Sequence, residues 1–369
     1  MRKTFIKSAL AVFTFAFAVM GTAVSARAYD GILQTTKSIK LNTTITDSLS
    51  EGDAKYTFNI PESGALTVEL GVYEGSNSSW GSHGGITLYD KDGNQISTIS
   101  VRDRTKETDR GKFTADIVAG DYYLVVNRAT GTINYEVITN YEKSGETIKD
   151  TLSNTHNSKA NPAKLTIGKL YKGHIALNGK EDVYTFTNKK SQFIKFALTD
   201  KTDGITIKVE NANGTVSFEE TIKDRKGDVK VFCPKGKYYV TICDYTRWNE
   251  GATTGTYTIK TSTAQIPVSK VKKVVADSSS YYSKYIKVTF TIRSTEDVAG
   301  YEIQFAKDAK FKRGRQSKEF ENTSYLQATQ SVSVPGKGTY YVRIRTFQKD
   351  NRGNHYNSKW SAAKKVTVR

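Results

Sequence analysis

Gly120-Asp121-Tyr122-Tyr123, Gly236-Lys237-Tyr238-Tyr239 and Gly338-Thr339-Tyr340-Tyr341 write one short phrase three times. Each time a glycine-bearing turn opens into an alternating run: Leu124 and Val126 follow the first, Val240 and Ile242 the second, Val342 and Ile344 the third. Alternation at period two is the mark of a strand with one buried face. The phrases stand 116 and 102 residues apart. That is the size of a small β-sandwich, well beyond the roughly 20–50 residues of a solenoid repeat. Few prolines, many Tyr, Thr, Val and Ile, and no long amphipathic helical stretch agree with an all-β chain. The expectation is three tandem β-sandwich domains, at 29–141, 142–264 and 265–369, behind a cleaved signal peptide at 1–28.

The leader follows from Arg2, Lys3 and Lys7, then the apolar run Ala9 to Met20, then Ala26-Arg27-Ala28 as a cleavage site. No later run reaches the ~18 apolar residues of a membrane helix. A secreted product is expected, released or held to the cell wall without a covalent tether. Charge is unevenly placed. Residues 29–264 carry 30 basic and 29 acidic side chains, whereas 265–369 carry 21 and 8. So concentrated a positive field attracts polyanions such as wall polymers or acidic glycans. The plain alternative is a lysine-rich surface with no partner. Export weighs against nucleic acid as the primary partner.

The first two units repeat an order of strands. Tyr56-Thr57-Phe58 and Leu66 to Leu70 precede Ile86 to Tyr89, which enters the turn Asp90-Lys91-Asp92-Gly93-Asn94. Phe113, Ala115 and Ile117 are expected to face Tyr122, Leu124 and Val126 across a hairpin, and Tyr135 and Val137 close the unit. Tyr184-Thr185-Phe186, Ile205 to Val209 with Asn213-Gly214, and Tyr257-Thr258-Ile259 follow the same sequence of events. There Val229, Val231 and Cys233 are expected to face Tyr238, Val240 and Ile242 across a second hairpin. On it Cys243 lies five residues beyond the partner of Cys233, about 17 Å along the strand, and on the opposite face. A disulfide needs Cα atoms within ~7 Å. Both thiols are therefore expected free, with Cys233 buried.

Asp53-Ala54-Lys55-Tyr56-Thr57-Phe58 and Glu181-Asp182-Val183-Tyr184-Thr185-Phe186, the Leu88-Tyr89 to Gly93 turn, and Ala119-Gly120-Asp121-Tyr122-Tyr123-Leu124 together resemble the bacterial pre-peptidase C-terminal domain family. The resemblance covers roughly Tyr29 to Ser262. It implies jelly-roll sandwiches, often appended to secreted peptidases, with carbohydrate, collagen or spacer roles proposed in the family. No peptidase domain precedes these units in the sequence, so an accessory role to a protease is not expected. Gly300-Tyr301-Glu302-Ile303-Gln304-Phe305, Tyr340-Tyr341-Val342-Arg343-Ile344 and Trp360-Ser361 make the third unit similar to a fibronectin type III domain of Gram-positive surface proteins.

Catalytic signatures are missing from the sequence. His83, His156, His174 and His355 are scattered, three of them in turn-like or linker contexts, and no H-E-x-x-H, G-x-S-x-G or phosphate-binding loop occurs. No catalytic residue, cofactor or metal is assigned. Asp90-Lys91-Asp92-Gly93-Asn94 starts like a calcium loop without the closing glutamate. Turn chemistry is the favoured reading, and a low-affinity calcium site stays open. Trp80 and Trp248 sit in polar loops, where an exposed indole stacks on a sugar; the alternative is that each plugs a sandwich end. In the third unit Tyr340, Val342 and Ile344 should face the core and Arg343 and Arg345 the solvent. With a hairpin tip at Asp350 to Gly353, Arg343 falls opposite Trp360, a cation-π pair. Lys310, Lys312, Arg313, Arg315 and Lys318 form the densest basic cluster. With Arg343 and Arg345 they are the candidates for polyanion binding, though edge lysines also deter strand-to-strand aggregation. The function expected is a non-catalytic surface or extracellular protein whose basic C-terminal unit holds an anionic envelope or matrix polymer. A carbohydrate-binding protein using Trp80 or Trp248 and a hydrolase of unrecognised type are the alternatives.

Overall fold

The computed structural model describes residues 33–74, 83–102, 109–130, 132–153, 156–200, 204–222, 226–244, 254–277, 284–350 and 352–369. The expected leader lies outside them. Among the described residues there are 26 strands and no helix, hence none long and apolar enough to cross a membrane.

The first nine strands are β1 (Leu33–Ser38), β2 (Thr44–Leu49), β3 (Asp53–Ile60), β4 (Gly64–Glu74), β5 (His83–Asp90), β6 (Gln95–Arg102), β7 (Asp109–Ile117), β8 (Gly120–Thr130) and β9 (Ile133–Lys143). They form two sheets, β1-β3-β8-β5-β6 and β2-β9-β4-β7. The next nine are β10 (Ala163–Lys164), β11 (Leu170–Ile175), β12 (Glu181–Asn188), β13 (Gln192–Asp200), β14 (Ile205–Asn211), β15 (Val216–Ile222), β16 (Lys226–Cys233), β17 (Gly236–Asp244) and β18 (Gly255–Ala264). Their sheets, β10-β12-β17-β14-β15 and β11-β18-β13-β16, repeat the first order strand for strand. The last eight are β19 (Val271–Asp277), β20 (Lys284–Phe290), β21 (Gly300–Ala306), β22 (Gln316–Glu321), β23 (Thr329–Val334), β24 (Gly338–Lys349), β25 (His355–Asn357) and β26 (Lys364–Val368). They pair as β19-β20-β23 and β22-β21-β24-β25, with β26 also on β24. Each pair of sheets closes on its own apolar cluster, because alternation gives every strand one apolar face to bury.

The two expected hairpins are not hairpins. Phe113 of β7 pairs with Val68 of β4, whereas Tyr122 of β8 pairs with Phe58 of β3. Likewise β16 pairs with β13, and β17 with β12 and β14. In both units the glycine turn carries the chain from one sheet to the other. The two alternating runs therefore meet face to face across the core instead of edge to edge. Both geometries need a turn between two alternating segments, so periodicity alone does not tell them apart. The thiols of Cys233 and Cys243 are free for this changed reason: Cys233 ends β16 in one sheet and Cys243 lies on β17 in the other. Cys233 is fully buried, and burial pushes its thiol pKa up to about 12.

The three Gly-x-Tyr-Tyr phrases do one job. The first tyrosine of each donates its hydroxyl to the carbonyl four residues upstream: Tyr122 to Val118 at 2.8 Å, Tyr238 to Pro234 at 3.0 Å and Tyr340 to Gly336 at 2.8 Å. This tyrosine corner pins the arch between the sheets. Gly120 and Gly338 have φ of +155° and +128°, in the region that favours glycine.

Successive units are packed together. Asp116 of the first takes His174 Nε2 at 2.8 Å and the Thr254 hydroxyl at 2.7 Å from the second. Phe193 of the second unit is buried in the third unit's core cluster, and the Phe232 ring packs at a tilt against Tyr356 with centroids 5.3 Å apart.

Tyr340→Phe keeps the ring and leaves the Gly336 carbonyl without its donor. It is expected to lower unfolding free energy by about 1 kcal/mol in urea denaturation. An unchanged midpoint would remove the corner from the stabilising contacts.

Candidate functional site

The basic cluster of the third unit is built on one turn. Asp308 Oδ1 accepts the amide of Lys310 at 2.9 Å, and Oδ2 accepts those of Lys312 at 3.1 Å and Arg313 at 2.6 Å. The Arg313 amide bond leads these contacts in holding the Asp308 carboxyl below its usual pKa. The turn throws Lys310, Lys312, Arg313 and Arg315 outward, all exposed, and Lys318 stands exposed on β22. Phe311 alone goes inward, buried, at φ 55°.

Its ring receives Arg343. The Arg343 guanidinium carbon lies 4.0 Å from the Phe311 centroid and 4.3 Å from the Trp360 centroid, and the Arg345 guanidinium carbon lies 4.4 Å from the same Trp360 centroid. The order is Phe311, Arg343, Trp360, Arg345: a ladder of alternating rings and cations on the outer face of β24. Across the register, Arg343 Nε donates to Gln304 Oε1 at 2.9 Å and Arg345 Nε to Glu302 Oε2 at 2.6 Å. Tyr340, Val342 and Ile344 fill the core behind them. The hairpin register differs by one from the expected pairing, with Phe347 opposite Asn357 and Gln348 opposite Tyr356. Trp360 consequently reaches both arginines. Burial, then the charges of Arg315 and Arg345, lower the Arg343 pKa; it stays a cation, in a positive field that an anion would relieve. The candidates thus divide: the four loop cations face solvent, Arg313 with its Nε 4.0 Å from Asp308 Oδ2, whereas Arg343 and Arg345 are braced against rings and polar neighbours.

A second polar array lies inside the second unit, and the sequence reading missed it. Tyr184 of β12 and Tyr257 of β18 meet across the core with hydroxyls 2.6 Å apart. Tyr257 donates to Asp182 Oδ2 at 2.5 Å. Asp182 Oδ1 is 3.3 Å from His156 Nε2, and His156 Nδ1 is 2.7 Å from Asp150 Oδ1. Behind Asp150, Glu146 takes its amide at 2.8 Å and the Ser63 hydroxyl of the first unit at 2.8 Å. Burial pushes Asp182 up to about 7 against the lowering effect of His156. Burial alone would lower His156, but the Asp150 hydrogen bond and the charges of Asp182, Asp150 and Glu146 raise it. The chemistry is that of an imidazolium between two carboxylates. Asp150, His156 and Asp182 offer donor atoms within 4.8 Å of one another, a set suited to a cation; here the His156 imidazole bonds Asp150 through Nδ1, and the surrounding carboxylates favour its protonated form. The first unit has the same tyrosine pair, Tyr56 and Tyr135 at 2.5 Å, with Asp47 at 3.1 Å from Tyr56 and Lys37 at 2.6 Å from Asp47. A repeat of buried tyrosines three residues into β3 and β12 was the signal available.

Of the remaining candidates, the Asp90 turn is closed on itself. Asp90 Oδ1 accepts the amides of Asp92 and Asn94, both at 2.9 Å, and Oδ2 the Asn94 side chain at 2.8 Å. Asn211 accepts the amides of Asn213 and Thr215 in the matching turn of the second unit. Trp80 and Trp248 lie outside the described residues. His83, His174 and His355 are on strands, and His156 alone belongs to a connection.

Residues 53–128 match the family model of the bacterial pre-peptidase C-terminal domain. Among solved structures, the pre-peptidase C-terminal domain of collagenase from Bacillus anthracis is 26% identical, over 28% of this chain and 93% of that one, with a TM-score of 0.21. A GH2 beta-galacturonidase from Eisenbergiella tayi bound to glycerol is 8% identical, over 52% of this chain and 35% of that one, with a TM-score of 0.18. No curated protein matches the chain.

Two outcomes follow from these geometries. Trp360→Ala removes the ring between two guanidinium groups and should cost about 1–2 kcal/mol in chemical denaturation. The second concerns pH. His156 and Asp182 both have raised pKa values when folded, so the folded state holds the extra protons and stability falls as pH rises. The His156 contribution is full below the unfolded value of 6.5 and is lost as pH climbs through the folded one. Asp308 and Asp350 have the opposite sign. Hydrogen bonds lower both, Asp350 to about 2, so their contribution is present above 3.8 and lost as pH falls. The melting temperature should decline on the alkaline side of neutrality, and His156→Gln should flatten that decline while lowering the plateau. A wild-type profile flat from pH 6 to 9 would contradict the imidazolium assignment.

Proposed function

We propose that the chain is an exported, non-catalytic bacterial binding protein whose third unit holds an anionic polymer of the cell envelope or extracellular matrix. The observation that carries the reading is the Asp308-anchored loop, which exposes Lys310, Lys312, Arg313 and Arg315 beside the Arg343–Trp360 ladder. That loop lies in the segment where 21 basic side chains outnumber 8 acidic ones. The match of residues 53–128 to the pre-peptidase C-terminal family supports an extracellular setting. On this reading the second unit is another copy, which its identical strand order favours. The third is a fibronectin-III-like domain, which its three-stranded and five-stranded sheets and its tyrosine corner favour. The first two units, nearly balanced in charge, space the basic unit and orient it.

Binding of this kind is electrostatic and weakens with salt, since the screening length shrinks from ~10 Å near 0.1 M to ~3 Å near 1 M. The full chain is expected to sediment with purified Gram-positive wall at low salt and to be released near 1 M. The variant K310Q/K312Q/R313Q/R315Q should be released at markedly lower salt. Retention that ignores both salt and the four substitutions would refute the proposal.

A further inference from the structure

A cleft of about 550 Å³ opens where the second unit meets the third. One wall is the arch between β16 and β17, with Lys235 and Lys237, and the Asn211 turn; the other is the turn between β24 and β25, with Lys349 and Arg352. The arch is the one pinned by the tyrosine corner of Tyr238, and Ala212 donates its amide to the Lys237 carbonyl at 3.0 Å. The opposite turn is equally fixed. Asp350 accepts the amides of Arg352 and Asn354 at 2.9 Å, the Asn354 side chain at 2.9 Å and the Tyr356 hydroxyl at 2.9 Å. Both walls are therefore set before any ligand arrives, which lowers the entropy lost on binding.

The charge of the cleft is one-sided. Lys235, Lys237 and Arg352 are exposed, and none has a carboxylate partner within salt-bridge range among the described residues. Lys349 is held by Glu321 at 2.6 Å. The carboxylate in the lining, Asp350, has four donors on it already. Beside the cations stand neutral groups. Asn211, half-buried, has its side-chain oxygen committed to the turn, and Asn213 is exposed. Tyr356, half-buried on Phe232, adds a ring to the floor. Converging cations, amides and one aromatic ring in a preformed cleft match a chain that alternates acid groups with hydroxyls.

We propose that this interdomain cleft is a specific seat for a short segment of an anionic carbohydrate or polyol-phosphate chain, with Lys235, Lys237 and Arg352 meeting its acid groups. The proposal rests on the anionic-polymer reading above and deepens it. The Asp308 loop gathers the polymer at long range, and the cleft fixes one segment of it. The two basic regions belong to different surfaces, so they are separable by mutation.

The test is titration calorimetry on the full chain with two defined probes, a heparin hexasaccharide and a glycerol-phosphate hexamer, and with maltohexaose as the neutral control. These arms distinguish a sulfated glycan from a phosphodiester polymer. The variant K235Q/K237Q/R352Q changes exposed side chains and should keep the wild-type melting temperature. It is expected to weaken the bound probe at least about ten-fold, whereas K310Q/K312Q/R313Q/R315Q weakens the same short probe less than about three-fold. If the loop variant abolishes probe binding and the cleft variant does not, the cleft is overturned and the anionic-polymer reading survives. The same holds if neither probe binds although the chain still sediments with wall. Equal binding of maltohexaose would overturn the charge-based seat. Loss of both probe and wall binding at all salts in the wild-type chain would overturn the two readings together.

Discussion

The tyrosine hydroxyl that reaches back four residues is the contact on which each unit depends. A β-sandwich has to pass its chain from one sheet to the other, and the crossing segment offers few partners of its own. At Val118, Pro234 and Gly336 a carbonyl at the crossing is taken by the first tyrosine of the next strand. The same ring then lies in the core, as the near-complete burial of Tyr122, Tyr238 and Tyr340 requires. One side chain thus satisfies a buried polar group and fixes the offset between the sheets. Everything positioned on those strands inherits that offset, including the arginines of β24 and the cleft beside the Pro234 arch.

The interiors also carry charge, and the first two units, which share one strand order, handle it in one way. Each places a tyrosine pair across the core, a carboxylate against the pair and a cation against the carboxylate: Tyr135, Tyr56, Asp47 and Lys37 in the first, Tyr184, Tyr257, Asp182 and His156 in the second. The difference lies in burial. Lys37 is half in solvent, and its lysine bond keeps Asp47 below the normal range despite the opposing effect of burial. Asp182 is completely enclosed and its partner is an imidazole, so burial raises its pKa against the lowering effect of His156. A buried carboxylate without a compensating charge would be strongly unfavourable. The linker that carries Asp150 and His156 is therefore held to the second unit by electrostatics as much as by packing.

Strand content, burial parity and the repeat were legible because alternation at period two reports directly on which face is apolar. Tyr340, Val342 and Ile344 are all buried, with Arg343 and Arg345 between them on the other face. What parity does not encode is the partner. Phe113 and Tyr122 show alternation compatible with a hairpin, yet they lie in opposite sheets. A one-residue change of register moved Trp360 from one arginine to two. The His156 array was hidden for a different reason. Asp150, His156 and Asp182 are brought together by an irregular connection, and no periodicity describes such a segment. Phe311 was hidden likewise: only the left-handed backbone at 311 turns its ring under Arg343 while its basic neighbours face water.

That strained residue bears on how the basic surface works. A bulky side chain at positive φ costs on the order of 1 kcal/mol or more, so surrounding contacts must hold it there. Asp308 supplies them by accepting three amides of the loop, and Arg343 supplies the ring contact. The result is a set of like charges held together without any acid among them except the turn aspartate. Like charges on a flexible loop would spread apart and blur their field. Fixed by the Asp308 turn and braced by the ladder, they keep a concentrated potential, and a polyanion meets a surface whose repulsion was already overcome during folding. The same logic applies to the cleft, whose cations sit on two turns that close on their own side chains. In both places the fold spends local hydrogen bonds of Asp and Asn on backbone amides, and the cations are left as the groups facing solvent.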